Sequence, residues 1–353
     1  DLPVLWVGED YEAALEGAGD EPMPYAWPTS WPLIYTSGTS GRPKGVVHGP
    51  TASPEMMAMA QDALASMWGY RPDDVHLVAG PLDHAAPVGY ANTTLYVGGT
   101  VVLMEGWDPV EALRIIATRR VTTTFMTPAH FIRLLEVSEA TRARFDITSL
   151  RHVLHGGAPC PVEVKERIMD VLHHSEIWEL YGMSEGGATR VGPEEWRRRP
   201  GTVGRPWPGV EITIHDPDTL GSLPTGVDGL VYVQPAAGRF HYLHDDDKTA
   251  EAWNGDAFTV GDIGHLDDDG YLYLTDRLVD MVIRNGVNLY PQAVEEVLHR
   301  HPAVIDCAVF GVPDPREGEH LRAVVELRTP ADADELIAWC RERLDPIACP
   351  TEV

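Results

Sequence analysis

Basic residues are scarce in this chain: 27 Lys and Arg stand against 54 Asp and Glu, a formal charge of −27 over 353 residues. Nonspecific affinity for nucleic acid or anionic lipid comes from neutralising phosphates with cations, so the charge works against both and nucleic acid is not expected as a partner. A polyanionic small ligand remains compatible where a few cations, helix N-termini and Mg²⁺ are concentrated locally. Cysteine is sparse too. Cys160, Cys307, Cys340 and Cys349 show no C-x-x-C spacing, which argues against a disulfide framework or a zinc site and fits a reducing cytoplasm. No apolar run approaches the ~20 residues of a membrane span, so no transmembrane segment is expected. The N-terminus, DLPVLWVGED, has neither a basic n-region nor a small-residue cleavage site, and its lack of a starting Met points to a fragment.

What the chain does have is the stretch from Tyr35 to His48, YTSGTSGRPKGVVH. Thr36, Ser37, Thr39 and Ser40 surround Gly38 and Gly41, and Lys44 follows. Glycines let backbone N–H groups turn toward an anion, hydroxyls add donors, and the lysine supplies a point charge. This is a loop for a polyphosphate. It is not a Walker A loop, which requires a Gly-Lys pair followed by Ser or Thr, because here Gly45 follows Lys44. The preceding Trp31-Pro32-Leu33-Ile34 reads as a strand feeding the loop.

Residues 1 to 30 read as a short strand around Val4 to Val7 and an exposed connection. Met56, Ala60, Leu64 and Met67 recur at helical spacing, predicting a helix whose apolar face joins the core. From Val75 to Leu180 strand-like runs (76–78, 101–104, 122–126, 152–155, 177–180) alternate with helical ones (110–119, 129–137, 162–173). That rhythm predicts an α/β fold with a mostly parallel sheet flanked by helices. Ligands in such sheets sit at the carboxyl ends of the strands, where His84, Thr127, Gly156-Gly157-Ala158 and Tyr181 to Glu185 fall. Gly156-Gly157 allows close backbone approach to a flat ring, Tyr181 offers a stacking face, and Glu185 offers oxygen to a hard cation such as Mg²⁺. Residues 201 to 275 change to short strands broken by turns, predicting a β-rich subdomain. His241 and His244 beside Asp245 to Asp247 read as an exposed acidic loop rather than a metal site.

The Tyr35–His48 stretch and these later segments closely resemble the adenylate-forming superfamily, which includes acyl-CoA synthetases, luciferases and peptide-synthetase adenylation domains. Ser40 and Ser184 stand where Thr is usual, keeping the hydroxyl. The resemblance implies that Thr36, Ser37, Gly38, Thr39, Ser40, Gly41 and the catalytic Lys44 hold ATP phosphates. It implies that Gly157, Ala158 and Tyr181 enclose adenine, that Ser184 contacts phosphate and that Glu185 holds Mg²⁺. Asp262, in Phe258-Thr-Val-Gly-Asp262, and Arg277 would hold the ribose; a carboxylate can accept from both hydroxyls while a guanidinium steadies the same sugar. His84 would border the acyl group, with Gly156, Phe125, Met126, Thr127 and Met183 lining its pocket; for Phe125 to Thr127 and Met183, buried core is an almost equally good reading.

The implied architecture is a large AMP-binding domain, residues 1–275, with the β-rich part at about 201–275, and a small α+β C-terminal domain, residues 276–353, both incomplete. Val279 takes the hinge position, where Asp or Lys is common, and Gly286 matches a glycine that lets the pantetheine arm of CoA pass. The family's late catalytic lysine has no counterpart, since no lysine follows Lys248, so the fragment is expected to be impaired in adenylation. The implied activity is ATP-dependent activation of a hydrophobic, fatty or steroid-type carboxylic acid and its transfer to CoA, with ATP, Mg²⁺ and CoA as cofactors. Loading of a carrier protein and a non-catalytic nucleotide-binding role are the alternatives. Expected partners are the acid and CoA, with a homodimer compatible and no nucleic acid expected.

Overall fold

The computed structural model describes residues 9–17, 33–36, 43–49, 53–236 and 238–353. Five parallel strands form its centre, in the spatial order Thr100–Leu103, Val75–Val78, Thr123–Met126, His152–His155 and Glu176–Met183. The third and fourth are buried along their whole length, as strands covered on both faces must be. The crossover helices begin where the chain supplies a start signal. In Pro109–Arg119 the Asp108 side chain accepts the Glu111 N–H and proline occupies the first turn, which satisfies an orphan donor and presets φ. The core between sheet and helices is built on Leu77, Leu113, Ile116, Phe131, Leu134, Val153, Ile168 and Trp196.

Beyond Glu176–Met183 the sheet turns antiparallel through Gly186–Val191 and Thr202–Pro206, then continues into Leu272–Arg277, Asp262–Leu266 and Gly229–Gln234. The short strands expected over 201–275 therefore form, but most of them lengthen the central sheet instead of closing a sheet of their own. A separate three-stranded sheet joins Ile34–Thr36, Lys44–His48 and Phe240–Tyr242. The C-terminal part has a four-stranded antiparallel sheet with its own apolar cluster around Val282, Leu289, Val294, Leu298, Leu321 and Leu336. Two reciprocal Arg–Glu pairs link it to the large sheet's helices: Arg133 with Glu326, at 2.7 Å for both nitrogens, and Arg328 with Glu136.

Four expectations are corrected. Residues Glu9–Glu16 form a helix rather than an exposed connection, while Val4 to Val7 lie outside the described residues. The helix over the methionine stripe exists as Pro54–Trp68, and Leu64 and Met67 pack partly buried beside the buried Ala65 and Trp68, but Ala60 is exposed and Met56 is 55% exposed. Local spacing marks an apolar face without saying which part of it another element will cover. A helix at Ala85–Tyr96 was not foreseen; its weak amphipathicity hides it, because Pro87, Tyr90, Ala91, Thr93 and Thr94 are buried in a mixed polar pattern. Finally, the acidic residues after His244 open the helix Asp246–Ala252, with Asp245 accepting the Lys248 N–H as its cap, so carboxylates that read as loop are a helix start. No described helix is long and apolar enough to cross a membrane.

Candidate active site

The strand His152–His155 delivers Gly156 into a space that only glycine fits: a Cβ there would stand 2.4 Å from the Leu180 carbonyl oxygen of the neighbouring strand. Gly157 follows with φ +82°, a left-handed conformation that suits glycine. Gly157 and Ala158 are exposed, and the Thr127 methyl approaches Gly157 from the next strand end, 4.0 Å from where a Cβ would be. Thr127 itself opens the helix Pro128–Leu135, its N–H donating to His130 Nδ1 at 3.0 Å. The result is a flat, backbone-lined ledge.

Behind the ledge lies an ion pair. Lys165 Nζ donates to Glu179 Oε2 at 2.6 Å with both residues buried, and the fully buried His155 ring stands 3.7 Å from the same oxygen. Burial pushes the Lys165 ammonium down and the Glu179 carboxyl up, each opposed by the attraction of the other. Neither residue was singled out from the sequence. An unbroken βα pattern gives no sign that a lysine on the helix and a glutamate on the strand point into the same interior.

Beside the ledge, the strand Glu176–Met183 brings Tyr181 forward. Its hydroxyl donates to Asp262 Oδ2 at 2.5 Å, and Arg277 Nε donates to Asp262 Oδ1 at 3.2 Å. Adjacent antiparallel strands enforce this, with Asp262 directly paired to Arg277. Asp262 is buried and Arg277 exposed. Burial, and then the Asp262 charge, hold the Tyr181 phenol well above its usual range, so it stays a donor.

A second constellation forms where the strand ends. Glu185 is 8% exposed and accepts from the Tyr242 hydroxyl at Oε1, 2.7 Å away. Lys44 Nζ lies 5.0 Å from the centre of the Tyr242 ring. His48 Nε2 donates to the Ser184 carbonyl at 2.9 Å, tying the strand after the phosphate loop to the same turn. Tyr242 was missed in the sequence, where the segment from His241 to Asp247 read as an exposed acidic loop; His241 and Tyr242 instead lie on the strand Phe240–Tyr242, with Tyr242 buried.

Other expected positions do not join these groups. Met126 is 1% exposed within the main core and Phe125 packs under Tyr90, ring centres 5.6 Å apart; alternation on a fully buried strand leaves neither on an open surface. His84 is exposed and precedes the helix Ala85–Tyr96 without a capping bond. Met183 is half-buried among Val46, Phe258 and neighbours. Val279 is 64% exposed in the turn after Arg277. Gly286, φ +78°, and Asn285, φ +52°, make the two-residue turn of the hairpin Val282–Leu289, for which Asn-Gly is the preferred pair; local geometry alone accounts for that glycine. Thr36 ends a strand, while Ser37, Gly38, Thr39, Ser40 and Gly41 lie outside the described residues.

Residues 12–237 match the AMP-binding enzyme family, and residues 293–353 match the AMP-binding enzyme C-terminal domain. The chain belongs to the AMP-binding enzymes, and with them to the adenylate-forming superfamily. This AMP-binding enzyme is 36% identical to a feruloyl-CoA synthase from an Amycolatopsis species over 351 residues, which cover 96% of the chain and 69% of the relative. It superposes on the amide bond synthetase McbA from Marinactinospora thermotolerans with a TM-score of 0.81 at 34% identity, covering 95% of this chain and 68% of that one. It also superposes on the O-succinylbenzoate coenzyme A synthetase of Bacillus subtilis in complex with ATP and magnesium ion. There the TM-score is 0.77 at 28% identity, covering 91% of this chain and 65% of that one. The mixed α/β architecture expected from the sequence is thus that of the adenylate-forming enzymes.

Of the groups such an enzyme uses, Mg²⁺ has a fitting donor here. Magnesium is commonly held by one or two carboxylates plus substrate phosphates. Glu185 offers a single carboxylate, one oxygen held by Tyr242 and the other without a hydrogen-bond partner among the described residues.

Proposed function

We propose that this chain carries the adenylating centre of an ATP-dependent acid–thiol ligase that activates a hydrophobic carboxylic acid and transfers it to CoA. One observation carries the reading: Lys44, Tyr242 and Glu185 form one contact chain, Tyr181, Asp262 and Arg277 form another, and both meet at the strand end beside the Gly156–Ala158 ledge. A purine fits the ledge against the Tyr181 face, with its ribose toward Asp262. Each Asp262 oxygen accepts one bond here, and a carboxylate oxygen has room for a second from a ribose hydroxyl. Lys44 meets the phosphates as a point charge, and Thr36 through Gly41 lead up to it.

The chemistry asks for positioning and charge neutralisation rather than an enzyme nucleophile. A carboxylate oxygen of the acid bonds to the α-phosphorus as the bond to pyrophosphate breaks. The thiol, its proton released to solvent, then bonds through sulfur to the acyl carbon as the bond from that carbon to the bridging oxygen breaks, and AMP leaves with that oxygen on its phosphate. Mg²⁺ on Glu185 would neutralise the charge of the phosphates. The likeness to a feruloyl-CoA synthase supports CoA as acceptor and a largely apolar acid, and four unpaired cysteines suit a reducing cytoplasm. The likeness to an amide bond synthetase supports a second reading, in which an amine takes the acyl group.

Mass spectrometry of reactions containing the protein, ATP, Mg²⁺ and a panel of aromatic, fatty and steroid-type acids tests both. Acyl-AMP that disappears in Lys44→Ala and Glu185→Gln supports the adenylating centre, and adding CoA or an amine identifies the acceptor. Undiminished acyl-AMP in both variants overturns it.

A further inference from the structure

We propose that Tyr242 is the positioning residue for the cation-binding carboxylate, fixing Glu185 and coupling it to the strand that carries Lys44. The inference rests on the reading of Glu185 as the magnesium partner. Three observations lead to it.

First, the contact is buried. Tyr242 is 5% exposed and Glu185 8% exposed, and the hydroxyl reaches Oε1 at 2.7 Å across 57 residues of sequence. A buried carboxylate needs a donor, and the identity of the donor matters. The Lys165–Glu179 pair behind the ledge shows the other solution, in which an ammonium cancels the charge. A neutral phenol instead holds the carboxylate in place and leaves its full negative charge to a cation.

Second, Tyr242 belongs to the sheet of the phosphate loop. It pairs with Val46 on the strand Lys44–His48, and its ring lies under the Lys44 ammonium at 5.0 Å. One side chain thus touches both the lysine aimed at phosphate and the carboxylate aimed at metal. Third, the same strand is tied to the turn independently, by His48 Nε2 to the Ser184 carbonyl at 2.9 Å. That bond sets the distance between sheet and turn, so the phenol is left to set the orientation of the carboxylate. Partners of this kind, which hydrogen-bond a metal-ligating carboxylate, typically change metal affinity 10–100-fold when removed.

The test is a titration of Mn²⁺, as a paramagnetic stand-in for Mg²⁺, into the protein with ATP bound and no acid present, read by electron paramagnetic resonance. Tyr242→Phe keeps the ring, its packing and the contact with Lys44. It should weaken the metal about 10–100-fold, while metal-free AMP affinity stays near that of the wild type and unfolding stays cooperative, with a melting temperature lowered by the lost bond to a buried carboxylate. Glu185→Asp, which keeps the charge but withdraws it by one methylene from the phenol, should weaken the metal to a similar extent. Glu185→Gln separates the two readings. If Glu185→Gln abolishes tight Mn²⁺ binding while both Tyr242→Phe and Glu185→Asp retain it, the positioning role is overturned and the metal role stands. If Glu185→Gln also binds Mn²⁺ normally, the metal reading falls and takes the inference with it.

Discussion

The Tyr181 hydroxyl stands 2.5 Å from Asp262 Oδ2, joining two residues 81 positions apart at the end of one strand and the start of another. The ring proposed to face adenine and the carboxylate proposed to face ribose are therefore one unit.

Tyr181→Phe tests that unit. The ring face remains, but Asp262 loses a donor and its side chain is free to turn. Hydrogen bonds to charged groups contribute about 1.5–3 kcal/mol, so AMP affinity should fall roughly 10- to 100-fold, measured by calorimetric titration. Adenine, which lacks the ribose, should bind the variant and the wild type alike. Equal loss for adenine and AMP would place the effect on stacking instead.

The Lys165–Glu179 pair predicts an asymmetric response to substitution. Removing one partner leaves a buried charge uncompensated and should cost about 3–5 kcal/mol, whereas replacing both with apolar residues is often neutral or stabilising. Urea unfolding of Lys165→Met, Glu179→Leu and the double variant checks this. A double variant as unstable as the worse single one would contradict it.

Acid should destabilise the fold through His76 and His152. Burial chiefly holds both down at about 4, with the Arg151 charge adding to the effect on His152. Between that value and the unfolded 6.5, the unfolded chain binds more protons. Their stabilising contribution is therefore complete above pH 6.5 and is lost as pH falls toward 4. Each histidine adds a slope of about 1.4 kcal/mol per pH unit in that window. Urea unfolding at intervals from pH 7 to 4.5 should show His152→Gln reducing the slope by one such step; an unchanged slope refutes the assignment.

The Arg133–Glu326 and Glu136–Arg328 pairs hold the C-terminal sheet against the large one with opposite polarities. Both are partly exposed, so each coupling should be about 0.2–1 kcal/mol and should weaken with salt. Limited proteolysis within residues 278–281 reports it: Arg133→Glu should be cleaved faster, and Arg133→Glu with Glu326→Arg should recover. A reversed pair that stays as labile as the single variant would show that the contact does not hold this arrangement.

Much of this molecule is written locally. The alternation of apolar runs with helical periodicity between Val75 and Leu180 dictates parallel strands and crossover helices, because each run must bury its apolar side and parallel strands need a covering connection. The strand end followed by Gly156-Gly157 was legible for the same reason, but the strand read as ending at Leu180 runs on to Met183, so Tyr181 lies on it, paired with Thr189. What those patterns could not express is which side chains meet across long separations or which faces end up covered. Met126 and Phe125 became core and Met56 became surface, outcomes set by neighbours that contribute no signal to the local sequence. The two bonds that define the site, Tyr181 to Asp262 and Tyr242 to Glu185, span 81 and 57 residues. The sequence determined the donors and acceptors; only tertiary packing, by bringing antiparallel strands against the parallel core, decided that a phenol would reach each carboxylate, joined at Asp262 by the Arg277 guanidinium.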